Sequence, residues 1–88
     1  MMTIKTSKGK EYAADWCGVS SIDGVLVAML HEKRPLHEIA EEFEGCEWIV
    51  QDDIDKKHVG YTHVTSVLEL GEGMVRIDMR KPDRQEAE

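Results

Sequence analysis

Basic side chains are scarce in this 88-residue sequence. Eleven Lys and Arg stand against 18 Asp and Glu, for a formal charge of −7. Non-specific binding to DNA or RNA needs a basic footprint that displaces counterions, and a peripheral membrane surface needs one against anionic lipid, so both partners are disfavoured. Long apolar runs are missing as well. The longest, Val25 to Leu30, falls far short of the roughly 20 residues of a transmembrane helix. The N-terminal stretch from Met1 to Lys8 has no hydrophobic signal core and no small-residue cleavage site, so no leader is expected and a cytoplasmic chain is. Cysteine is limited to Cys17 and Cys46, with no C-x-x-C. Two reduced, buried thiols are expected there rather than a disulfide, and a zinc ribbon or dithiol centre has no basis. Aromatics are few, and with so little bulk available at least one of Trp16 and Trp48 is expected in the core.

What is present is alternation, interrupted once by a helical period. Leu36, Ile39, Ala40 and Phe43 recur at i, i+3, i+4 and i+7, the spacing of one helical face. Pro35 suits a first helical turn, Glu38 the positive N-terminal field, and Gly45 the left-handed residue after the last turn. The helix is therefore read over Arg34 to Gly45. Strands are expected at Met2–Thr6, Glu11–Val19, Val25–Leu30, Cys46–Gln51, Tyr61–Leu70 and Met74–Arg80. Tyr12, Ala14 and Trp16 share one face of the second; Gly18 marks a bulge or bend near its end. Val64, Ser66, Leu68 and Leu70 share one face of the fifth, and Val75, Ile77 and Met79 one face of the sixth. Val25–Leu30, apolar on both faces, reads as the central strand. The polar Asp52–Gly60 segment reads as a loop, and Gly71 to Gly73 as a hairpin turn. The expected fold is α+β, in the order β-β-β-α-β-β-β. It is a twisted antiparallel sheet or small open barrel packed on one helix, made of two three-stranded meanders. Residues 1–82 form a single domain and 83–88 a frayed polar tail.

The residues that could carry chemistry are poorly arranged for it. Among His31, His37, His58 and His63 no pair has the helical spacing of H-E-x-x-H, and a site assembled from Asp55, His58 and His63 lacks a constrained ligand set. Asp52 to Asp55 lacks the central Gly and terminal Glu of an EF-hand loop. Cys17 and Cys46 lie in apolar strand contexts that suit a core thiol better than a nucleophile. No catalytic residue, metal or cofactor is expected. The charge is unevenly spread: from Glu38 to Asp55 there are eight acids and no Lys or Arg. Glu38, Glu41, Glu42, Glu44, Asp52, Asp53 and Asp55 are read either as a solvated face and loop or as an anionic surface for a protein partner.

Three motifs run through the chain: T-x-x-G-K-x-Y-x-A-x-W (Thr6 to Trp16), R-P-L-x-E-I-A-x-x-F-x-G (Arg34 to Gly45) and G-Y-T-x-V-x-S-V (Gly60 to Val67). Their succession resembles a group of small proteins encoded in prophages of Gram-positive gut bacteria. The resemblance implies a product of a phage head or tail gene region and brings no catalytic residues with it. The function expected is that of a non-enzymatic interaction protein of phage origin, a virion component or assembly factor, in the host cytoplasm or the virion. Its partner would be a phage or host protein or a second copy of itself. One alternative is an acidic inhibitor occupying a nucleic-acid-binding groove of a host protein. Another is a small-ligand module or enzyme.

Overall fold

The structure is a computed structural model and describes residues 2–82. The polar tail expected at 83–88 lies outside the described residues. The chain forms β1 (Met2–Thr6), β2 (Glu11–Val19), β3 (Leu26–His31), α1 (Leu36–Phe43), β4 (Trp48–Gln51), β5 (Lys56–Val59), β6 (His63–Gly71) and β7 (Met74–Arg80). All seven strands join one antiparallel sheet in the order β5-β4-β1-β2-β3-β7-β6.

This corrects the expected α+β fold in three respects. The described residues are mostly β, with seven strands and a single short helix. The extra strand, β5, comes from the segment read as a loop. Its polarity is that of an edge: Lys56 and Lys57 are exposed on the outermost strand, where lysine discourages further pairing, and only His58 turns inward. Nor is the sheet a barrel, because β5 and β6, its two edges, form no ladder with each other. The halves are not separate meanders either. The hairpin β4–β5 docks on β1 and the hairpin β6–β7 docks on β3, which places β2 in the middle and β3 beside it.

The open sheet is nonetheless curled. Only residues 60–62 connect its two edges, and so short a link spans at most about 14 Å. The helix lies inside the curl. Ile39 and Phe43 are fully buried among the inward side chains of the sheet, including Ile4, Tyr12, Leu30 and Ile77. Burying each is worth about 2–3 kcal/mol. The Phe43 ring meets that of Tyr12 at 4.7 Å between centroids. Pro35 sits at the helix N-cap, one position outside the turn expected for it, and Gly45 takes the expected left-handed conformation (φ 82°).

The last turn of α1 contains no basic residue. Lys8, from the β1–β2 turn, supplies the missing charge: its ammonium donates to the carbonyls of Glu41 and Glu44. At the other side, Arg34 grips Glu42 with both terminal nitrogens (2.7 and 2.8 Å) and donates from Nε to Glu32 (2.8 Å). The Tyr12 hydroxyl donates to the same Glu42 carboxylate (2.7 Å). Arg34 and Tyr12 together hold that carboxyl down at about 2. Burial and the neighbouring Glu42 push the Tyr12 phenol up in turn. This brace ties helix to sheet from residues of the first two motifs.

Candidate interaction surface

The register shifts at three places, around Asp15 in β2 and around Thr65 and Leu70 in β6, and the first two decide what the open face of the sheet displays. In β2 the register against β3 jumps between Ala14 and Trp16, so Asp15 is the extra residue. The inward phase passes from Ala14 to Cys17, three residues on, and Trp16 turns outward at 49% exposure, against the expectation that it shares a face with Tyr12 and Ala14. In β6 the register against β7 jumps between Val64 and Ser66, with Thr65 as the extra residue. Val64 and Val67, again three apart, pack on the core, and Leu68 turns outward at 50% exposure. Val64, Ser66, Leu68 and Leu70 therefore do not share a face. A bulge re-aims the side chains that follow it, and here two of them do so on opposite flanks of one sheet.

The re-aimed side chains line up. Trp16 pairs with Met29, Met29 with Arg76, and Arg76 with Leu68, which makes a transverse row across β2, β3, β7 and β6. The adjacent row reads Gly18, Val27, Asp78, Ser66 by the same registers. Within β7 the Arg76 guanidinium donates to Asp78 at 2.9 and 3.3 Å, neutralising the only two charges of the two rows. The Trp16 ring lies along its own strand over Gly18, where a Cβ would stand 3.0 Å from the ring edge. The far edge of the indole thus reaches over the next row while the ring as a whole stays half exposed. A sheet face with no covering layer among the described residues, carrying Trp, Met, Val and Leu around an internally paired Arg and Asp, has the composition of a protein contact surface. Beside it His63, Thr65, Arg80 and Asp23 line a cleft of about 460 Å3. The Asp23 carboxyl is held below its usual range by Ser20 and by the Val25 amide it caps.

The acids singled out in the sequence are placed apart. Glu38 and Glu41 are exposed on the outer side of α1. Glu42 is engaged by Arg34 and Tyr12. The Glu44 carboxylate turns toward β6, where it accepts the Val64 amide at 3.0 Å. Asp52, Asp53 and Asp55 are exposed in the β4–β5 turn, at the end of β4 far from the helix. The Asp52 amide bonds Thr3 at the start of β1, whereas Lys8 meets the helix just beyond the other end of β1. An inhibitor that mimics nucleic acid would present these carboxylates as one stripe, and the fold divides them.

The other weighed residues take structural positions. Cys17 and Cys46 are buried and unbridged. Burial, with some help from Asp53, pushes the Cys17 thiol up to about 11, far from a neutral-pH thiolate. The Cys46 thiol donates to the Glu42 carbonyl at 3.3 Å. His58 is buried, with Nε2 3.2 Å from the Gln51 side-chain oxygen and its ring edge-on to Tyr61. His63 is exposed whereas His58 is buried. Among the described residues no three His, Cys, Asp or Glu side chains gather to hold a metal ion. Trp48 is half-buried under the Lys57 ammonium (4.8 Å), so neither Trp lies fully inside the core. Among the described residues no helix is long and apolar enough to cross a membrane.

The row was invisible to strict alternation, though a signal existed. Ala14-x-x-Cys17 and Val64-x-x-Val67 are apolar pairs at a spacing that fits a strand face only if one residue between them is extruded. Comparison with known proteins adds no assignment: no family model matches the chain, and neither a curated protein nor a solved structure matches it.

Proposed function

We propose that this chain is a non-enzymatic interaction protein whose working surface is the open sheet face around Trp16, Met29, Arg76 and Leu68. The observation that supports the reading most directly is the pair of bulges. Each takes a large apolar side chain out of the phase that would bury it and places it in one row on the uncovered face. Trp on a half-exposed sheet face is an anchor of the kind that dominates protein contacts. The motif resemblance points to a partner among the products of a phage gene cluster, with the chain as a virion component or assembly factor. The acids of Glu38–Asp55 then act as solvating charge and as parts of the brace.

Affinity capture with the products of genes flanking its own is the test. The tagged chain retains at least one of them or a second copy of itself, and the Trp16→Ser/Leu68→Ser variant, still folded by circular dichroism, retains none. Equal retention by both proteins removes the open face from the binding event. A chain that captures neither a neighbour's product nor itself overturns the interaction reading.

A further inference from the structure

We propose that the open face pairs with the same face of a second copy of the chain, about a two-fold axis running across the strands between the two rows. The proposal rests on reading this face as an interaction surface and adds its occupant. What carries it is self-complementarity. Rotation about that axis keeps each strand over its counterpart and exchanges the rows. Arg76 of one copy then faces Asp78 of the other, and Asp78 faces Arg76, so the two internal ion pairs become a square of alternating charge. Met29 faces Val27, and Leu68 faces Ser66, a large residue over a smaller one on each strand. The Trp16 ring spans both rows because it lies over Gly18. The axis therefore brings the two indoles against each other and covers surface that each leaves half exposed alone. One row further out, His31 comes opposite Val25 and Met74 opposite Arg80, with no like charges juxtaposed.

An isologous interface demands this match of one patch with itself, and a surface evolved for a different partner has no reason to show it. The footprint sets the strength. Four strands about 4.8 Å apart and about six residues long at about 3.3 Å each give at most roughly 400 Å2 per copy, less where the curl turns β2 and β6 back, and so at most about half that of a standard stable interface. The dimer is therefore a reversible one, populated at tens to hundreds of micromolar and monomeric well below.

Sedimentation equilibrium over about 10 µM to 1 mM tests this. The wild-type chain shifts from monomer to dimer with concentration and does not go beyond dimer. Arg76→Glu alone and Asp78→Arg alone each weaken dimerisation at least about tenfold, because every cross-contact then joins like charges. An equimolar mixture of the two variants restores it as a heterodimer, since the carboxylate introduced in one then meets the guanidinium introduced in the other. Trp16→Ser, with circular dichroism as the check on folding, abolishes it, and Leu68→Ser on the edge strand weakens it. A wild-type chain that stays monomeric to about 1 mM overturns the pairing. If Trp16→Ser still abolishes capture of a flanking-gene product, the interaction surface stands with another occupant. A dimer indifferent to Trp16→Ser and to both charge reversals overturns the pairing and removes this face from the assembly.

Discussion

Replacing Glu42 with Gln should cost the fold a pH-dependent part of its stability, and the size can be worked from the brace. The carboxyl titrates near 2 against about 4.5 for an unperturbed Glu, chiefly because Arg34 binds both its oxygens and Tyr12 donates to one. At about 1.4 kcal/mol per tenfold change in proton affinity, the ion's native-state interactions are bounded at about 3 kcal/mol. The Arg34 side chain is 37% exposed and that of Glu42 19%. Solvent therefore screens the pair, and about 1–2 kcal/mol is the expected net loss. For a domain of this size that lowers the melting temperature by roughly 4–16 °C. The sign follows from the depressed pKa. The unfolded chain takes up the proton first as pH falls, so the contribution is complete above about 4.5 and disappears between there and about 2. Urea unfolding of wild type and Glu42→Gln at pH 7, 4 and 2.5 reads this directly, with the two curves converging at the acid end. A difference under about 0.3 kcal/mol at pH 7, or one that persists unchanged at pH 2.5, refutes the claim that a charged brace holds the helix to the sheet.

Three further outcomes follow from local geometry. Glu72 and Gly73 both have positive φ (56° and 80°) in the two-residue turn between β6 and β7, the type I′ geometry that favours Asn before Gly; Glu72→Asn raises stability by about 0.5–1 kcal/mol in chemical denaturation, while its reduction would contradict the turn. Lys8→Met removes the cation that caps the C-terminus of α1, and costs about 0.5–1 kcal/mol at low salt, shrinking as salt is added. Burial, with Lys56 adding to it, lowers the His58 pKa, so the unfolded chain is protonated before the folded one and stability declines as pH falls below about 6.5; His58→Gln flattens that decline between pH 7.5 and 5.5.

Local rules carried much of the architecture. Ile39 and Phe43 were legible as buried because a helical period over so short a segment leaves one face for the core, and both are fully buried. Val75, Ile77 and Met79 were legible because β7 has neighbours on both sides and an unbroken pleat. Six strands could be read from alternation and turn residues. The seventh could not, because an edge strand needs only one inward side chain, and in β5 that side chain is His58, which carries no apolar signal. Pairing order was beyond reach for a different reason. Nothing local states that β4 will leave its own hairpin partner exposed at an edge and join β1, or that β7 rather than β4 will flank β3; those choices are made by the curl that brings the sheet around α1.

The failures at Trp16 and Leu68 have another character. There the local rule was sound and the chain departs from it, at the cost of an extruded residue, a broken ladder and a large apolar side chain in water. Stability gains nothing from this: Trp16 in the phase of Tyr12 and Ala14 would add its area to a core that has few large residues to draw on. Two independent departures that end in register, at opposite ends of a four-strand row and at the same level of the sheet, are hard to assign to folding alone, because folding places no demand on what the outer ends of a row have in common. A contact surface does place that demand. The acidic run, by contrast, looked functional in the sequence because its charges are adjacent along the chain, and adjacency was lost once α1 and the β4–β5 turn were carried to different ends of β1. Linear clustering was thus a poor guide to a surface here, and broken alternation the better one, since a strand that gives up burial at a chosen position exchanges core area for something outside its own fold.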